Sequence, residues 1–175
     1  MNFTEAIKSV FSQYATFTGR ARRSEYWYFT LFCVLCSLGI MLVTFALPSV
    51  GTILNTVFSL GILIPSLAVQ TRRLHDVGKS GWLIVIEYVL VIAMFVLLIG
   101  AISTENFISA MSDSGNIDPN AMNMGMLAAF GGSYLILIGY GIFLLVLTIK
   151  DSKPGDNEYG PNPKDEQEIP INENF

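Results

Sequence analysis

Long apolar runs separated by short polar segments dominate the chain. Between Glu25 and Arg72 no Asp, Glu, Lys or Arg occurs, and a membrane-spanning helix needs roughly 20 predominantly apolar residues. That interval has room for two spans, and two further apolar runs follow it. The pattern therefore predicts an all-α membrane protein with four transmembrane helices, at about Tyr26–Leu47, Thr52–Thr71, Gly81–Ala101 and Leu127–Ile149.

An amphipathic segment precedes the first span. Its apolar residues recur with the i, i+3, i+4, i+7 spacing of one helix face. They are Phe3, Ala6, Ile7, Val10, Phe11 and Tyr14. We interpret residues 1–15 as a short helix that lies in the membrane interface. Packing of the same helix on a partner protein is the alternative.

The first two spans are joined by Pro48-Ser49-Val50-Gly51, a turn so short that the spans must be antiparallel neighbours. Pro65 lies inside the second span. Proline lacks a backbone N–H and leaves one carbonyl without its helical partner. We therefore expect a kink there, with a neighbouring group satisfying the freed carbonyl.

Composition separates the membrane domain from the C-terminal tail. The chain is 52% hydrophobic and 14% charged, with a mean hydropathy of +0.53, whereas soluble domains carry roughly 25% charged residues. Residues 16–150 form the predicted four-helix transmembrane domain. Residues 151–175 are rich in Pro, Gly, Asn and acids, which predicts a tail whose end is disordered.

Along the chain, polar segments that contain Lys and Arg alternate with polar segments that contain neither. The turn between the first two spans has none, and neither has the loop from residue 102 to 126. Because cytoplasmic segments carry the excess of Lys and Arg, we expect both termini in the cytoplasm. The basic residues that set this orientation are Lys8, Arg20, Arg22, Arg23, Arg72, Arg73, Lys79, Lys150, Lys153 and Lys164.

Three polar motifs share the predicted cytoplasmic face: FTGRARRSEYW (residues 17–27), QTRRLHDVGKSGW (70–82) and DSKPGDNEYGPNP (151–163). In this order around four apolar runs, they resemble the domain-of-unknown-function 805 family of small bacterial inner-membrane proteins (YhaH-like). The resemblance implies a multi-pass inner-membrane protein and supplies no activity. The matching residues are Gly19, Arg20, Arg23, Glu25, Tyr26 and Trp27; Arg72, Arg73, Leu74, His75, Asp76, Gly78, Ser80, Gly81 and Trp82; and Gly155, Asn157, Tyr159, Gly160, Asn162 and Pro163.

The central motif also obeys local helix rules. If the second helix runs to about His75, Arg72 and Asp76 are i, i+4 neighbours and can form an ion pair. Gly78 then suits a left-handed helix end, and Ser80 suits the N-cap of the third span. Trp82 would lie at the headgroup level. The motif is therefore a well-capped turn, and capping with the positive-inside rule can account for all of it.

A functional interpretation adds convergence of the arginines. Arg20, Arg23, Arg72 and Arg73 could surround one pocket at the headgroup level, because guanidinium groups bind phosphate in bidentate fashion. An anionic lipid headgroup or a small phosphorylated ligand is the expected guest, and a partner protein is the alternative. The supporting polar cluster would be Glu25, His75, Asp76, Ser80, Glu87 and Asn157.

Glu87 lies inside the third span, where an ionisable residue marks a functional site by default. A structural ion pair with Arg72, Arg73 or His75 is one interpretation. A small transporter or channel subunit, acting as an oligomer with Glu87 in the pathway, is the rival function. No nucleophile with a base and no set of metal ligands is visible, so we predict no enzyme, no cofactor and no metal. The expected partners are the lipid bilayer, including anionic lipid, and a further copy or another membrane protein, without nucleic acid.

Overall fold

The computed structural model describes residues 1–101 and 124–164, and the regular elements in those ranges are all helices. They are α1 (Phe3–Ser12), α2 (Arg23–Ala46), α3 (Pro48–Asp76), α4 (Trp82–Ala101) and α5 (Met124–Ile149). The predicted all-α class is confirmed. The predicted disorder at the end of the tail, residues 165–175, lies outside the described residues, as does most of the loop before α5.

The chain divides into two compact units. The first contains residues 1–84 and those from 146 onward, and so includes α1, α2, α3 and the described part of the tail. The second contains residues 85–145, which are most of α4 and α5. All three polar motifs belong to the first unit.

Several helices can cross a bilayer. By length and composition α2, α3 and residues 131–149 of α5 are long and apolar enough to do so, and α4 carries a shorter apolar stretch, Trp82–Leu97. Large side chains such as Phe45, Val57 and Leu60 are exposed, as a lipid-facing surface requires. The ends of α3 differ from the predicted span, because the helix continues to Asp76 through polar residues that are buried within the protein.

The connection between α2 and α3 is tighter than predicted. The predicted turn at Pro48–Gly51 was wrong: only Leu47 separates the helices, and Pro48 is already the first residue of α3. Proline suits this position because its fixed φ is helical and its missing N–H would be unpaired anyway. Gly51 permits the close approach, since a Cβ there would lie 2.6 Å from the Cβ of Thr44.

Helix α1 begins with a capping box and packs on its own chain. The Glu5 backbone N–H donates to Asn2 Oδ1 and the Asn2 N–H donates to Glu5 Oε2, both at 2.8 Å. Its apolar face, with Ala6 and Val10 fully buried, lies against α2 and α3. The predicted amphipathic helix is confirmed as a helix, and α2 and α3 cover the face that a partner protein would otherwise cover. Its location in the membrane interface stays a prediction.

Pro65 leaves a carbonyl free, and a residue next to α1 satisfies it. The helical partner of the Gly61 carbonyl would be the N–H of residue 65, which proline lacks. The Tyr14 hydroxyl donates to this carbonyl at 2.6 Å. The expectation of a neighbouring donor is confirmed. Tyr14 thereby links the segment after α1 to the interior of α3.

Candidate functional site

The three polar motifs meet in the first unit around one buried carboxylate, Asp76. Its Oδ1 accepts a hydrogen bond from Arg20 Nε at 3.0 Å, and its Oδ2 accepts one from Arg73 Nη1. Its backbone carbonyl accepts from the Lys153 N–H at 3.0 Å. One residue thus ties the N-terminal motif, the end of α3 and the tail together. Charge-assisted bonds from two guanidinium groups are strong enough to hold such a junction.

The predicted pair between Arg72 and Asp76 was wrong. Asp76 pairs with Arg73, three residues before it, and with Arg20, while Arg72 pairs with Glu25 of α2 at 3.1 Å. Adjacent residues on a helix point about 100° apart. Arg72 therefore faces α1 and α2, whereas Arg73 faces the end of α5 and the tail.

Arg20 donates mainly to backbone carbonyls of the tail. Its Nη1 donates to the Gly155 carbonyl at 2.8 Å and, more weakly, to the Gly160 carbonyl at 3.3 Å. Its Nη2 donates to the Lys153 carbonyl at 2.6 Å. The guanidinium is 1% exposed. These donors hold the tail in a folded turn, and they are engaged with protein acceptors.

Arg73 performs the same task at the end of α5. Its Nε donates to the Thr148 carbonyl at 3.1 Å, and its Nη2 donates to the Lys150 carbonyl. The last carbonyls of a helix lack intrahelical partners and carry partial negative charge. A buried guanidinium there satisfies both needs. Trp27 Nε1 adds a further donor to the Thr148 carbonyl at 3.3 Å.

Arg72 occupies a second polar site beneath α1. Its Nη1 donates to Glu25 Oε1 at 3.1 Å and to Gln13 Oε1 at 2.8 Å, and the Ser9 hydroxyl donates to the same Glu25 oxygen at 3.0 Å. Arg72 is 1% exposed, and its Nε and Nη2 have no hydrogen-bond partner within the described part of the chain. Donors of a charged group left unpaired in the interior are costly, so this guanidinium is incompletely satisfied.

His75 joins α3 to the tail by stacking. Its ring lies on the ring of Tyr159, with centroids 3.8 Å apart and an interplanar angle of 4°. Its Nδ1 is 3.2 Å from the Gly19 carbonyl, and its backbone carbonyl accepts from Asn157 Nδ2 at 2.9 Å. Burial, and the neighbouring Glu158 carboxylate, raise the pKa of Tyr159 above its ordinary value. These contacts attach the tail to the end of α3.

The turn after α3 follows the predicted local rules. Gly78 has a φ of 69°, and the Gly78 N–H donates to the His75 carbonyl at 2.9 Å. The Ser80 hydroxyl accepts from the Trp82 N–H at 3.3 Å, so it pairs with the first N–H of α4 from one residue before the N-cap position, Gly81. Gly81 admits no side chain, because a Cβ there would lie 2.6 Å from Thr71 Cγ2. The left-handed glycine is confirmed, and the serine acts at the start of α4 one residue earlier than predicted.

Arg23 differs from the other three candidate arginines. It is exposed at the first position of α2, and its Nη1 makes one long hydrogen bond, 3.5 Å, to the Ile149 carbonyl. The neighbouring Arg22 instead donates from Nε to the Pro163 carbonyl at 2.6 Å. Arg23 is therefore the candidate whose guanidinium is most available to a ligand.

Glu87 lies on α4 in the second unit, where it is half-buried. The junction around Asp76 is built wholly from residues of the first unit. Within residues 1–101 and 124–164, no group of three or more His, Cys, Asp or Glu side chains could hold a metal ion. Ser9, Gln13 and Tyr14 are the site residues that sequence reasoning missed. Only the free carbonyl implied by Pro65 pointed to one of them.

Comparison with known proteins agrees with the three motifs. The family described as "Protein of unknown function (DUF805)" matches residues 14–161. Inner membrane protein YhaI of Escherichia coli (strain K12) is 37% identical over 91 residues, which are 52% of this chain and 77% of that protein. Inner membrane protein YhaH of the same strain is 39% identical over 77 residues, 42% of this chain and 64% of that protein.

No solved structure matches the chain. The family match covers the first two motifs, the apolar helices, and the third motif as far as residue 161. The chain therefore belongs to the DUF805 family and is a multi-pass membrane protein of that family.

Proposed function

We propose that the protein spans the bacterial inner membrane four times, with both termini in the cytoplasm. The apolar helices α2 to α5, the alternation of Lys and Arg between them, and the names of its relatives support this topology. Single cysteines at Ser80 and Ser112, in a variant lacking Cys33 and Cys36, test it. The first should react with a membrane-impermeant maleimide only in opened membranes, and the second in intact cells. Ser112 lies outside the described residues, and its reaction follows from the charge pattern alone.

The cytoplasmic face of this protein binds an anionic lipid headgroup, in our proposal, and performs no catalysis. The supporting observation is a charge imbalance. Within the described part of the chain, three guanidinium groups are at most 1% exposed, those of Arg20, Arg72 and Arg73, against two buried carboxylates, Glu25 and Asp76. One positive charge is left over in a poorly solvated site. A nearby anion would offset it.

Arg23 is the direct contact in this proposal. Arg20 and Arg73 donate to Asp76 and to backbone carbonyls, so they fold the site, and Arg72 is covered by α1. The exposed guanidinium of Arg23 lies at the start of α2, next to the carbonyl of Ile149. An arginine in this position can grip a phosphate with two parallel N–H groups. The four candidate arginines then have different tasks at one site.

Lipid retained by the purified protein tests the proposal. The full chain is extracted gently into detergent, and native mass spectrometry measures bound phosphatidylglycerol. Arg23→Gln should lower the retained fraction strongly. Arg23→Lys should lower it in part, because lysine keeps the charge and loses the planar fork. Arg22→Gln is the matched control, since it removes the same charge from a guanidinium engaged with Pro163. Equal retention by all four proteins would refute lipid binding at Arg23.

Glu87 supports a second candidate function, a small transporter or channel subunit acting as an oligomer. The observation that favours it is a half-buried carboxyl group on an otherwise apolar helix, where ionisable side chains commonly line ion or proton pathways. A proton or ion flux in reconstituted vesicles that requires Glu87 would favour this function over lipid binding.

A further inference from the structure

A groove of about 140 Å³ opens between α2 and α3 inside the first unit. At roughly 30 Å³ per water molecule, it accommodates a small segment of a larger molecule. Its walls combine aromatic and aliphatic side chains with hydroxyl, thiol and amide groups. The lining residues are Tyr26, Phe29, Thr30, Cys33, Ser66, Val69 and Gln70.

The polar groups of the groove offer donors in need of acceptors. The Ser66 hydroxyl and the Gln70 amide have no side-chain hydrogen bond to any described residue. The Thr30 hydroxyl already donates to the Tyr26 carbonyl at 2.9 Å. Unpaired donors at the depth of the membrane are unfavourable, because hydrocarbon cannot accept hydrogen bonds. A ligand that carries hydrogen-bond acceptors can pair with these donors.

The faces of α2 and α3 that line the groove each carry an arginine at one end. On α2, residues 23, 26, 30 and 33 share one helix face, and on α3 residues 66, 69, 70 and 73 do so. Arg73, at the upper end of the α3 face, is occupied by Asp76 and by carbonyls of residues 148 and 150. Arg23, at the upper end of the α2 face, is exposed and makes only one long bond. The groove therefore ends below an available positive charge.

The depth of the groove matches one part of a phospholipid. With a 1.5 Å rise per residue, Gln70 lies about 4.5 Å below Arg73, and Ser66 lies about 10 Å below it. The polar headgroup region is roughly 5–8 Å thick on each side of the bilayer. A phosphate at the level of the arginines thus places the ester groups near Gln70 and the first methylene groups between Phe29 and Val69.

We propose that this groove binds the glycerol-ester segment of one anionic glycerophospholipid. Its phosphate contacts Arg23, and an ester carbonyl accepts a hydrogen bond from the side-chain amide of Gln70. Ester carbonyls are acceptors only, which matches the unused donors, and the phosphate complements the positive charge above them. The inference rests on the proposed lipid binding and specifies which part of the lipid the protein recognises.

A comparison of ester-linked with ether-linked phosphatidylglycerol separates recognition of the ester carbonyls in the groove from attraction of the phosphate by charge. The two lipids carry the same phosphate, but the ether lipid lacks carbonyl acceptors. The full chain is reconstituted in nanodiscs that contain equal amounts of both, extracted, and analysed by native mass spectrometry. The wild type should retain the ester lipid roughly two- to tenfold more than the ether lipid, as expected for one or two hydrogen bonds. Gln70→Leu should abolish this preference and keep the charge-dependent part. Ser59→Leu, an exposed position of α3 outside the groove, should leave the preference unchanged.

Each of three other outcomes would overturn a specific part of the proposal. Retention that depends on Arg23 but shows no ester preference overturns the groove and leaves headgroup binding intact. Absence of any retained anionic lipid overturns both. A Cys33–Cys33 cross-link between two copies, lost in Ser66→Leu, would place a helix of a second chain in the groove and overturn the lipid assignment.

Discussion

The bond between Tyr14 and Gly61 gives the sharpest test of how this fold is held together. Tyr14→Phe removes the hydroxyl that donates to the Gly61 carbonyl at 2.6 Å and keeps the ring. The carbonyl then has neither a side-chain donor nor, because of Pro65, a helical one. Hydrogen bonds between membrane helices contribute about 0.6 kcal/mol on average and up to about 1.7 kcal/mol. We expect Tyr14→Phe to lower the free energy of unfolding by an amount within that range, near its upper end.

Tyr14→Phe is then repeated in a variant that carries Pro65→Ala, and this comparison is decisive. Alanine restores an N–H at residue 65, which can donate to the Gly61 carbonyl within α3. Tyr14→Phe should then cost less than about 0.5 kcal/mol, since the carbonyl has another partner. The two substitutions should therefore be coupled by roughly 1 kcal/mol. The double-mutant cycle also cancels the cost of the packing lost with the buried Pro65 ring.

The assay is reversible unfolding of the purified chain in mixed micelles at increasing fractions of sodium dodecyl sulfate, followed by tryptophan fluorescence. Tyr28→Phe is the matched control, because the Tyr28 hydroxyl has no partner within the described residues while its ring contacts Phe3. An equal loss for Tyr14→Phe with and without Pro65 would refute the view that Tyr14 replaces the missing helical donor.

Four further predictions address the rest of the molecule. Asp76→Asn should lower the free energy of unfolding by about 3–5 kcal/mol in the same assay, because two buried guanidinium groups lose their counter-ion; a loss below about 1 kcal/mol would contradict the junction. Gly51→Val should prevent the close approach of α2 and α3 and abolish recovery of folded protein on gel filtration, whereas normal recovery would show that the hairpin can open. Glu87→Gln should leave proton flux in reconstituted vesicles unchanged if lipid binding is the function, and a flux lost with this substitution would favour the transport candidate. Lys164 holds the pKa of Asp151 below its ordinary value by a hydrogen bond, so Lys164→Met should raise that pKa in a carbon-detected NMR titration; in the wild type the pair persists as pH falls until Asp151 is protonated at its lowered pKa.

Local rules were sufficient for the features that depend on neighbouring residues. The helices follow from apolar runs, the helix end at Gly78 from the left-handed preference of glycine, and the bond from the Trp82 N–H to Ser80 from the serine hydroxyl. The family of the chain was also predictable, because its three motifs are contiguous in sequence. Each of these features depends on only a few consecutive residues.

The partners of the arginines could not be predicted in the same way. Arg72 and Arg73 are adjacent and chemically identical, and only the rotation of α3 against its neighbours sends one to Glu25 and the other to Asp76. Most acceptors of Arg20 and Arg73 are backbone carbonyls. Every residue has one, so the residue type does not indicate which carbonyl will be the acceptor. The spacing favoured an i, i+4 pair, but tertiary packing decided otherwise.

The carbonyl-based attachment of the tail also sets an order of assembly. Ribosomes deliver α1 to α3, with Arg20, Arg73 and Asp76, well before Thr148 and Lys153. Until the last part of the chain arrives, the two guanidinium groups share one carboxylate and lack the carbonyls that they later bind. The junction therefore closes only after the tail up to Gly160 has been made, and a product truncated before α5 ends retains unsatisfied charge at its centre. Synthesis of the tail is thus a condition for closing the polar junction at the end of α3.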